Sequence, residues 1–505
     1  MYIHVMKYLM IACLLILTFK VQSQNKLGLK ILPRTIVTTD GEIDDVDTFI
    51  RMLLYSNEYK VEGLVYSSSM WHYKGDGKGT LFTSEMEMTK KMYGTKTSLR
   101  WAGVNWIQDL LNAYTQVHPN LILHDKNYPS PSYLKSLVKV GNIDFEGEMD
   151  KVTEGAVWIK DKLMDKNPAP IYLQAWGGTN TIARALKLIE DQYATTAQWE
   201  KIKDQISRKA IIYTVMDQDA TYKKYIGVHW PKIVVFYNAH QFGSFAYPWK
   251  KTIPKSMQSY FEGPYMSSKI ILNHGALLKM YYAYGDGQKQ AGDEEHTHGD
   301  PTKITNTQWG SFEKYDFISE GDSPAFLQLV DIGLDNTNHP NYGGWGGRFV
   351  AAADNPFRYE DGPSAADFNP ELNKLDINFP QTRWLVAVQE DFAARANWCV
   401  QSFKEANHAP TIRVKEGTSI NGRPGQSITL HIRSTDPDQN LVNIKAWPYA
   451  ELSAGAIDLS FKNHLLKAQI PITAKKGDLY HIIVEGTDNG SPALTRYRRV
   501  VVAIQ

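Results

Sequence analysis

The sequence predicts an open, mostly parallel α/β sheet with helices on both faces, followed by a small all-β sandwich. Three observations predict it. From Arg34 to about Arg395, short β-rich runs alternate with stretches of helical periodicity. After a composition break at "EANHAPTIRV" (405 to 414), five alternating runs follow, separated by "NGRPG", "DPDQN" and "DNGSP". Finally, Asp40, Trp176 and Asp217 each stand at the carboxyl end of a β-rich run, where ligands collect in such sheets.

Taken in order, "RTIVTTD" reads as the first strand. In "VDTFIRMLLYSNEY", Val46, Phe49, Ile50, Leu53 and Leu54 recur at i, i+3, i+4, i+7 and i+8, one face of a helix. "VEGLVYSSS" is the next strand, so the unit is β-loop-α-β with a right-handed crossover. "APIYLQAW" followed by "GGTNTIARALKLIEDQ" repeats the pattern, and "KAIIYTVMDQD" and "PKIVVFYN" add two strands. In the C-terminal part, "SITLHIRST", "LVNIKAWPY", "LLKAQIPITA", "LYHIIVEGT" and "TRYRRVVVAIQ" have the spacing of an immunoglobulin-like sandwich.

The organisation expected is an export signal over 1–23, an α/β domain over 24–404 and a β-sandwich over 405–505. Lys7 precedes "YLMIACLLILTF", long enough for a signal h-region and too short for a membrane span. Cleavage is expected near Ser23–Gln24. No Cys stands at that junction, which argues against a lipid anchor, so a periplasmic or secreted protein is expected. Cys13 falls in the signal, which leaves Cys399 without a disulfide partner. A formal charge of +1 gives no reason to expect a nucleic-acid polymer as partner. An aromatic content of 12% suits sugar-binding surfaces as well as cores.

The segment carrying most chemistry is "TTDGEIDDVDTF", with Asp40, Glu42, Asp44 and Asp45 within six positions. A helix N-cap at Asp44 and acids in a first turn account for Asp44, Asp45 and Asp47. They do not account for Asp40, four residues earlier. Crowded carboxylates raise one another's pKa unless something positive sits among them, and a hard cation with oxygen ligands is the simplest answer. Trp71, His72 and Lys74 in "SSSMWHYKGDG" should lie at the rim of the same site, where His72 could act as an acid or remain structural. Tyr342, Trp345 and Arg348 in "HPNYGGWGGRF" form either a sugar-stacking platform or a glycine-rich turn around a buried Trp. His296 and His298 in "GDEEHTHGD" read as a mobile loop, with metal binding the alternative. Asp436 and Asp438 in "STDPDQN" read as an Asp-Pro turn, or as one of the turns that bind calcium between β-sandwich modules.

"TTDGEIDDVDTFIRMLLYSNEYKVEGL" resembles the opening of the nucleoside hydrolases, and "IYLQAWGGTNTIARAL" resembles their second signature. The whole chain is similar to exported bacterial cellulose-binding proteins with a nucleoside-hydrolase-like domain and a C-terminal β-domain, in which "YTVMDQD", "EGDSPAFL" and "HPNYGGWGGRF" recur in order. The resemblance implies a calcium site made by Asp40, Asp45, the Trp176 carbonyl and Asp322. It implies Asp40 as the base for a metal-bound water attacking an anomeric carbon, with inversion. It implies contacts to a sugar from Asp44 and Asn180, and from the "DQD" residues Asp217, Gln218 and Asp219. A sugar or glycan is the expected partner, and homo-oligomers are common on this fold. The expected function is therefore calcium-dependent hydrolysis of an O- or N-glycosyl bond, the alternative being a non-catalytic carbohydrate-binding protein. Three departures from the pattern stand out. Gly41-Glu42 replaces Pro-Gly, Gly321 stands where a His precedes the last ligand, and "SSSMWHY" replaces the Asn after the second strand.

Overall fold

Eight strands form one sheet in the order Val138–Val140, Lys60–Tyr66, Arg34–Thr39, Ile171–Ala175, Ala210–Val215, Val234–Asn238, Arg358–Glu360, Val350–Ala351. All pairings are parallel except the last. These coordinates come from a computed structural model that describes residues 32–293 and 296–505. The expected export signal and Cys13 lie outside the described residues. Among the described residues no helix is long and apolar enough to cross a membrane.

Successive side chains of a strand point to opposite faces, and here each face has its own core. Val37, Leu64 and Tyr213 pack in one cluster with apolar residues of the helices Ile43–Leu54, Trp106–His124 and Leu385–Trp398. Ile36, Val65 and Ile212, their immediate neighbours in sequence, pack with the helices Glu154–Met164 and Asn180–Tyr193. Helices thus cover both faces, which is why the strands read as continuous apolar runs.

The first helix shows how the sequence builds the site's scaffold. Ile43, Val46, Phe49, Ile50, Leu53 and Leu54 are all buried, each such side chain contributing about 1.5–3 kcal/mol. Gly41 adopts φ +82°, a left-handed turn that only glycine makes without strain, and drops the chain from strand into helix. The N-cap is Glu42, which makes no side-chain cap bond, and not the Asp44 expected from the sequence. Asp44 and Asp45 lie in the first turn instead. Arg51, on the same helix, is wholly buried. It donates to Glu320 (3.0 Å) and Gln389 (2.7 Å), and its guanidinium lies 3.9 Å from the Phe392 ring centroid.

The strand order reverses at Arg34–Thr39, whose neighbours are the second strand on one side and Ile171–Ala175 on the other. A crevice forms beyond the carboxyl ends of two strands whose connections run in opposite directions. Asp40 and Trp176 are the residues that follow those two strands.

The C-terminal part consists of two four-stranded sheets. One runs Thr411–Val414, Ser427–Thr435, Leu465–Gln469, Asp458–Lys462; the other runs Ser419–Gly422, Thr495–Ile504, Leu479–Asp488, Val442–Pro448. Leu430 and Leu466 from the first sheet and Ile482 and Val500 from the second meet in a single core. The short strands Thr411–Val414, Ser419–Gly422 and Asp458–Lys462 were not among the five expected runs. Backbone bonds from Tyr497 to Ile332 (3.0 Å) and an Arg499 side-chain bond to the Leu334 carbonyl (2.9 Å) tie the sandwich to the body.

Candidate active site

Strand ends, one helix start and a late turn converge on a cavity of about 880 Å³. That is near the upper end of the roughly 300–1,000 Å³ of small-molecule sites. Its floor is acidic, with Glu42, Asp44, Asp45 and Asp322 lining it beside Trp176 and Gln218. Its walls are aromatic and apolar: Trp71, Met88, Met92 and Tyr93 on one part, Phe242, Tyr247 and Trp309 on another. Tyr247 and Trp309 lie nearly parallel, with ring centroids 6.1 Å apart.

One carboxylate oxygen each from Asp44, Asp45 and Asp322 lies within 4.8 Å of the others. Asp44 and Asp45 come from the first turn of the first helix, and Asp322 from the turn before the helix Ser323–Leu327. Burial, and then the charges of neighbouring acids with Asp40 prominent among them, push all three carboxyls well above the usual carboxylate range. Thr39 donates to Asp45, and Ser319 donates to Asp44 at 3.3 Å. Two buried acids, Asp45 and Asp322, with the half-buried Asp44 beside them offer the oxygen ligands a hard divalent ion takes.

Asp40 stands beside this trio rather than within it. Its Oδ2 lies 3.5 Å from Nδ1 of His72, a wholly buried ring whose Nε2 is 3.5 Å from Asp293. Burial pushes the Asp40 carboxyl up, but His72 outweighs it and holds the group below its ordinary value. Burial and the Arg100 charge press the imidazole down. Asp293, Asp40 and Glu42 more than reverse that and raise it to about 9. His72 is therefore a buried imidazole set between two carboxylates that favour its protonated form. Asp293 is further held by Arg100 and His296. Glu42, unexplained by sequence, accepts a bond from Tyr247 (2.9 Å) and lies 3.5 Å from Arg100. Asp40, Glu42 and Asp293 thus each face a basic side chain within 4 Å, whereas among the described residues no ion pair reaches Asp44, Asp45 or Asp322.

The other expected residues divide similarly. Trp176 lines the cavity while its carbonyl accepts the Gln218 amide at 2.7 Å. Trp71 is on the wall, edge-on to Tyr93. His296 and His298 are on the wall as well, packed against Tyr247.

Six expected contact residues lie off the cavity lining, the buried His72 being one. Asn180 is buried at its helix start, where its side chain binds Ser68 and the Asn142 carbonyl. Asp219 accepts from the Asn180 and Thr221 amides, and Asp217 accepts from Tyr222 and Lys223. The two aspartates thus satisfy backbone amides around the starts of two helices, and Asn180 ties its helix to the neighbouring loops. Trp345 is 1% exposed, in the core beneath the sandwich, because Gly343 and Gly347 with positive φ fold "GGWGG" back on itself. Arg348 is buried on Asp367 (2.8 Å). The stretch is thus the glycine-rich turn around a buried Trp, not a stacking platform. Sequence reasoning missed Arg100, Tyr247, Asp293 and Trp309. They come from loops, and no periodicity marks them.

Gly321 has a geometric cause. A Cβ there would stand 2.9 Å from Asp44 Oδ2 and 3.4 Å from Ala246, so no side chain fits without displacing the acid.

Comparison with known proteins agrees with this architecture. A nucleoside-hydrolase-related hypothetical protein from Saccharophagus degradans, described as associated with carbohydrate metabolism, superposes with a TM-score of 0.68. It is 24% identical and covers 94% of this chain and 100% of its own, a likeness of fold. A plant nucleoside hydrolase aligns at 10% identity over 65% of this chain and 86% of its own, with a TM-score of only 0.28. No curated protein matches. Residues 427–504 match the C-terminal domain of cellulose-binding protein Sde0182. Residues 34–349 match the nucleoside hydrolase-like domain of cellulose-binding Sde182, and the chain belongs to that family.

Proposed function

We propose that the protein is an exported, calcium-dependent hydrolase of a glycosidic bond, with Asp40 as general base. The observation that carries this reading is the division of charge on the cavity floor. His72 holds the Asp40 carboxyl below its ordinary value and so in the ionised form a base needs, while among the described residues Asp44, Asp45 and Asp322 beside it make no ion pair. Asp44, Asp45 and Asp322 would hold the cation, with the Trp176 carbonyl able to add an oxygen. When bound, the cation supplies Lewis-acid polarisation and neutralises the three acids. Asp40 takes the proton from the water that attacks the anomeric carbon as the glycosidic bond breaks, and the departing oxygen or nitrogen takes its proton from a second water in the cavity. With no nucleophile forming a covalent sugar, the configuration inverts. The aromatic wall offers Trp71 and Trp309 to the apolar faces of a sugar or glycan.

A second reading, a carbohydrate-binding protein without turnover, is favoured by one observation. Gly321 leaves the cavity without a side chain where the resemblance expects the histidine that assists the leaving group. The family's description as cellulose-binding fits it too. Depth argues for hydrolysis: Asp45 and Asp322 are 1% and 2% exposed, so the acids close a pocket rather than line a shallow strip.

The test combines calcium calorimetry with a screen of ribosides, furanosides and plant or algal oligosaccharides, with calcium and with chelator. Calcium-dependent turnover that Asp40→Asn abolishes while ligand binding persists supports the enzyme. Glycan binding without turnover supports the second reading. Absence of any calcium heat in the parent protein removes the metal from both.

A further inference from the structure

A second group of acids lies far from the cavity, where the chain passes from the body into the sandwich. Asp436 sits in the turn that follows the strand Ser427–Thr435, and Asp488 ends the strand Leu479–Asp488. Asn407 lies in the linker after the helix Leu385–Trp398. Asp488 is 4% exposed. Its Oδ1 accepts three bonds, from Asn407 Nδ2 (3.0 Å) and from the amides of Gly490 (2.9 Å) and Leu494 (3.0 Å). Asp436 Oδ1 accepts from the amides of Asp438 (2.9 Å) and Asn440 (3.0 Å). Asn440 Nδ2 then donates to Asn407 Oδ1 at 2.7 Å and closes the group.

Each carboxylate therefore spends one oxygen on the loop and leaves the other over. Asp436 Oδ2 and Asp488 Oδ2 are both buried, and among the described residues neither has a hydrogen-bond partner. Asp438, the other acid of the turn, is taken up by His408, to which both of its oxygens are bound. No basic side chain faces the two spare oxygens among the described residues. Burial, with the charge of Asp436 adding to it, pushes the Asp488 carboxyl up. A buried acceptor left unmatched costs about 1–3 kcal/mol, and more when charged. Two such atoms in one group call for a ligand that is positive, small and satisfied by oxygen.

We infer that Asp436 and Asp488 form a second cation site, for a hard divalent ion such as calcium, at the junction of body and sandwich. Two carboxylates are few for a tight site, which places the affinity at roughly 10⁻⁴–10⁻³ M, the range of extracellular modules. The ion would bind the linker residue Asn407, through Asp488, to the sandwich and so stiffen the junction. This site is independent of whether the cavity is an enzyme.

The experiment counts calcium ions per chain on the full-length protein, by equilibrium dialysis and calorimetry. The Asp45→Asn variant, in which the cavity site is disabled, is expected to retain one weak calcium ion. Adding Asp488→Asn or, separately, Asp436→Asn to that variant is expected to remove the ion, whereas either substitution alone in the parent is expected to leave the heat of the cavity site unchanged. Asparagine keeps the Oδ1 acceptor at either position, and far-ultraviolet circular dichroism checks the fold. An Asp45→Asn variant that binds no ion up to about tenfold above that range overturns the inference, as does a weak ion that survives both sandwich substitutions. In the first case the two spare oxygens share a proton instead. Failure of the cavity reading shows separately, as an Asp45→Asn variant whose binding isotherm equals the parent's.

Discussion

Replacing Asp45 by Asn should change the sign of its effect on stability when calcium is added. The structure places oxygens of Asp44, Asp45 and Asp322 within 4.8 Å of one another, and two unit charges at that distance repel by about 3.5 kcal/mol at an effective dielectric of 20. Asp45→Asn removes two of the three repulsions, a ceiling of about 7 kcal/mol. Proton uptake relieves most of this, since all three carboxyls are raised, and a gain of about 1–3 kcal/mol in chelator is the realistic expectation. Asparagine keeps an oxygen for Thr39 and offers an N–H to its acidic neighbours. With calcium at a hundred times its Kd, the parent gains about 2.7 kcal/mol and the variant gains nothing from this site. The variant should therefore be the more stable protein in EDTA and the less stable one in calcium.

The pH dependence follows with the same sign. Groups with raised folded-state values contribute fully below the ordinary carboxylate range, and that contribution is lost as pH rises through the raised values. Chelated parent protein should lose stability from about pH 4 upward, more steeply than Asp45→Asn, and calcium should flatten the difference. The assay is urea unfolding at matched slope, from pH 4 to pH 8, in EDTA and in calcium. A variant less stable than the parent under both conditions would falsify the cation reading, because the acids would then be satisfied within the protein.

Further outcomes are expected elsewhere. Arg51→Met strands the Glu320 carboxylate in the core and should cost about 3–5 kcal/mol by urea unfolding. The double variant with Glu320→Gln should cost less than the sum of the singles, with a coupling of about 0.5–3 kcal/mol. Gly177→Ala places a Cβ 2.7 Å from Cγ of Asp40, and the forced shift should cost about 1–3 kcal/mol and lower calcium affinity measured by calorimetry. Leu466→Ala opens a cavity in the sandwich core and should cost about 2–5 kcal/mol without altering the cavity's calcium isotherm.

What the sequence discloses depends on how local the physics is. The parallel strands of the body are legible because both faces are buried, and Arg34–Thr39 is apolar or β-branched almost throughout. The first helix is legible from its apolar stripe. In the sandwich, "SING" and "DLSFK" escape notice because they are short and mostly polar, and pair only as edges. At the site, Asp40, Asp44 and Asp45 are conspicuous as a run, and Asp322 through resemblance alone. The raised basicity of His72 is not legible, since it depends on Asp293, 221 residues away. Trp345 shows the opposite error: a glycine-rich aromatic motif looks like a platform until the turn buries it. Glu42 looked superfluous because its partner Tyr247 lies 205 residues on, in a loop.

The distances along the chain have a kinetic consequence. The Ser319–Asp44 bond spans 275 residues, and the Arg51–Glu320 bond 269. A polypeptide emerging from its amino terminus therefore carries Asp44 and Asp45 on a helix long before the segment holding Asp322 arrives. Loop closure of this length is slow, and it comes after local elements have formed. During that interval the Asp322 carboxylate stays hydrated and apart from Asp44 and Asp45, which already share one helical turn. The last docking step brings them together, and it is opposed by their charge unless an ion is present. Calcium should thus accelerate the final phase of refolding while leaving the earlier phases untouched, so the compartment that supplies the ion also decides where the chain finishes folding.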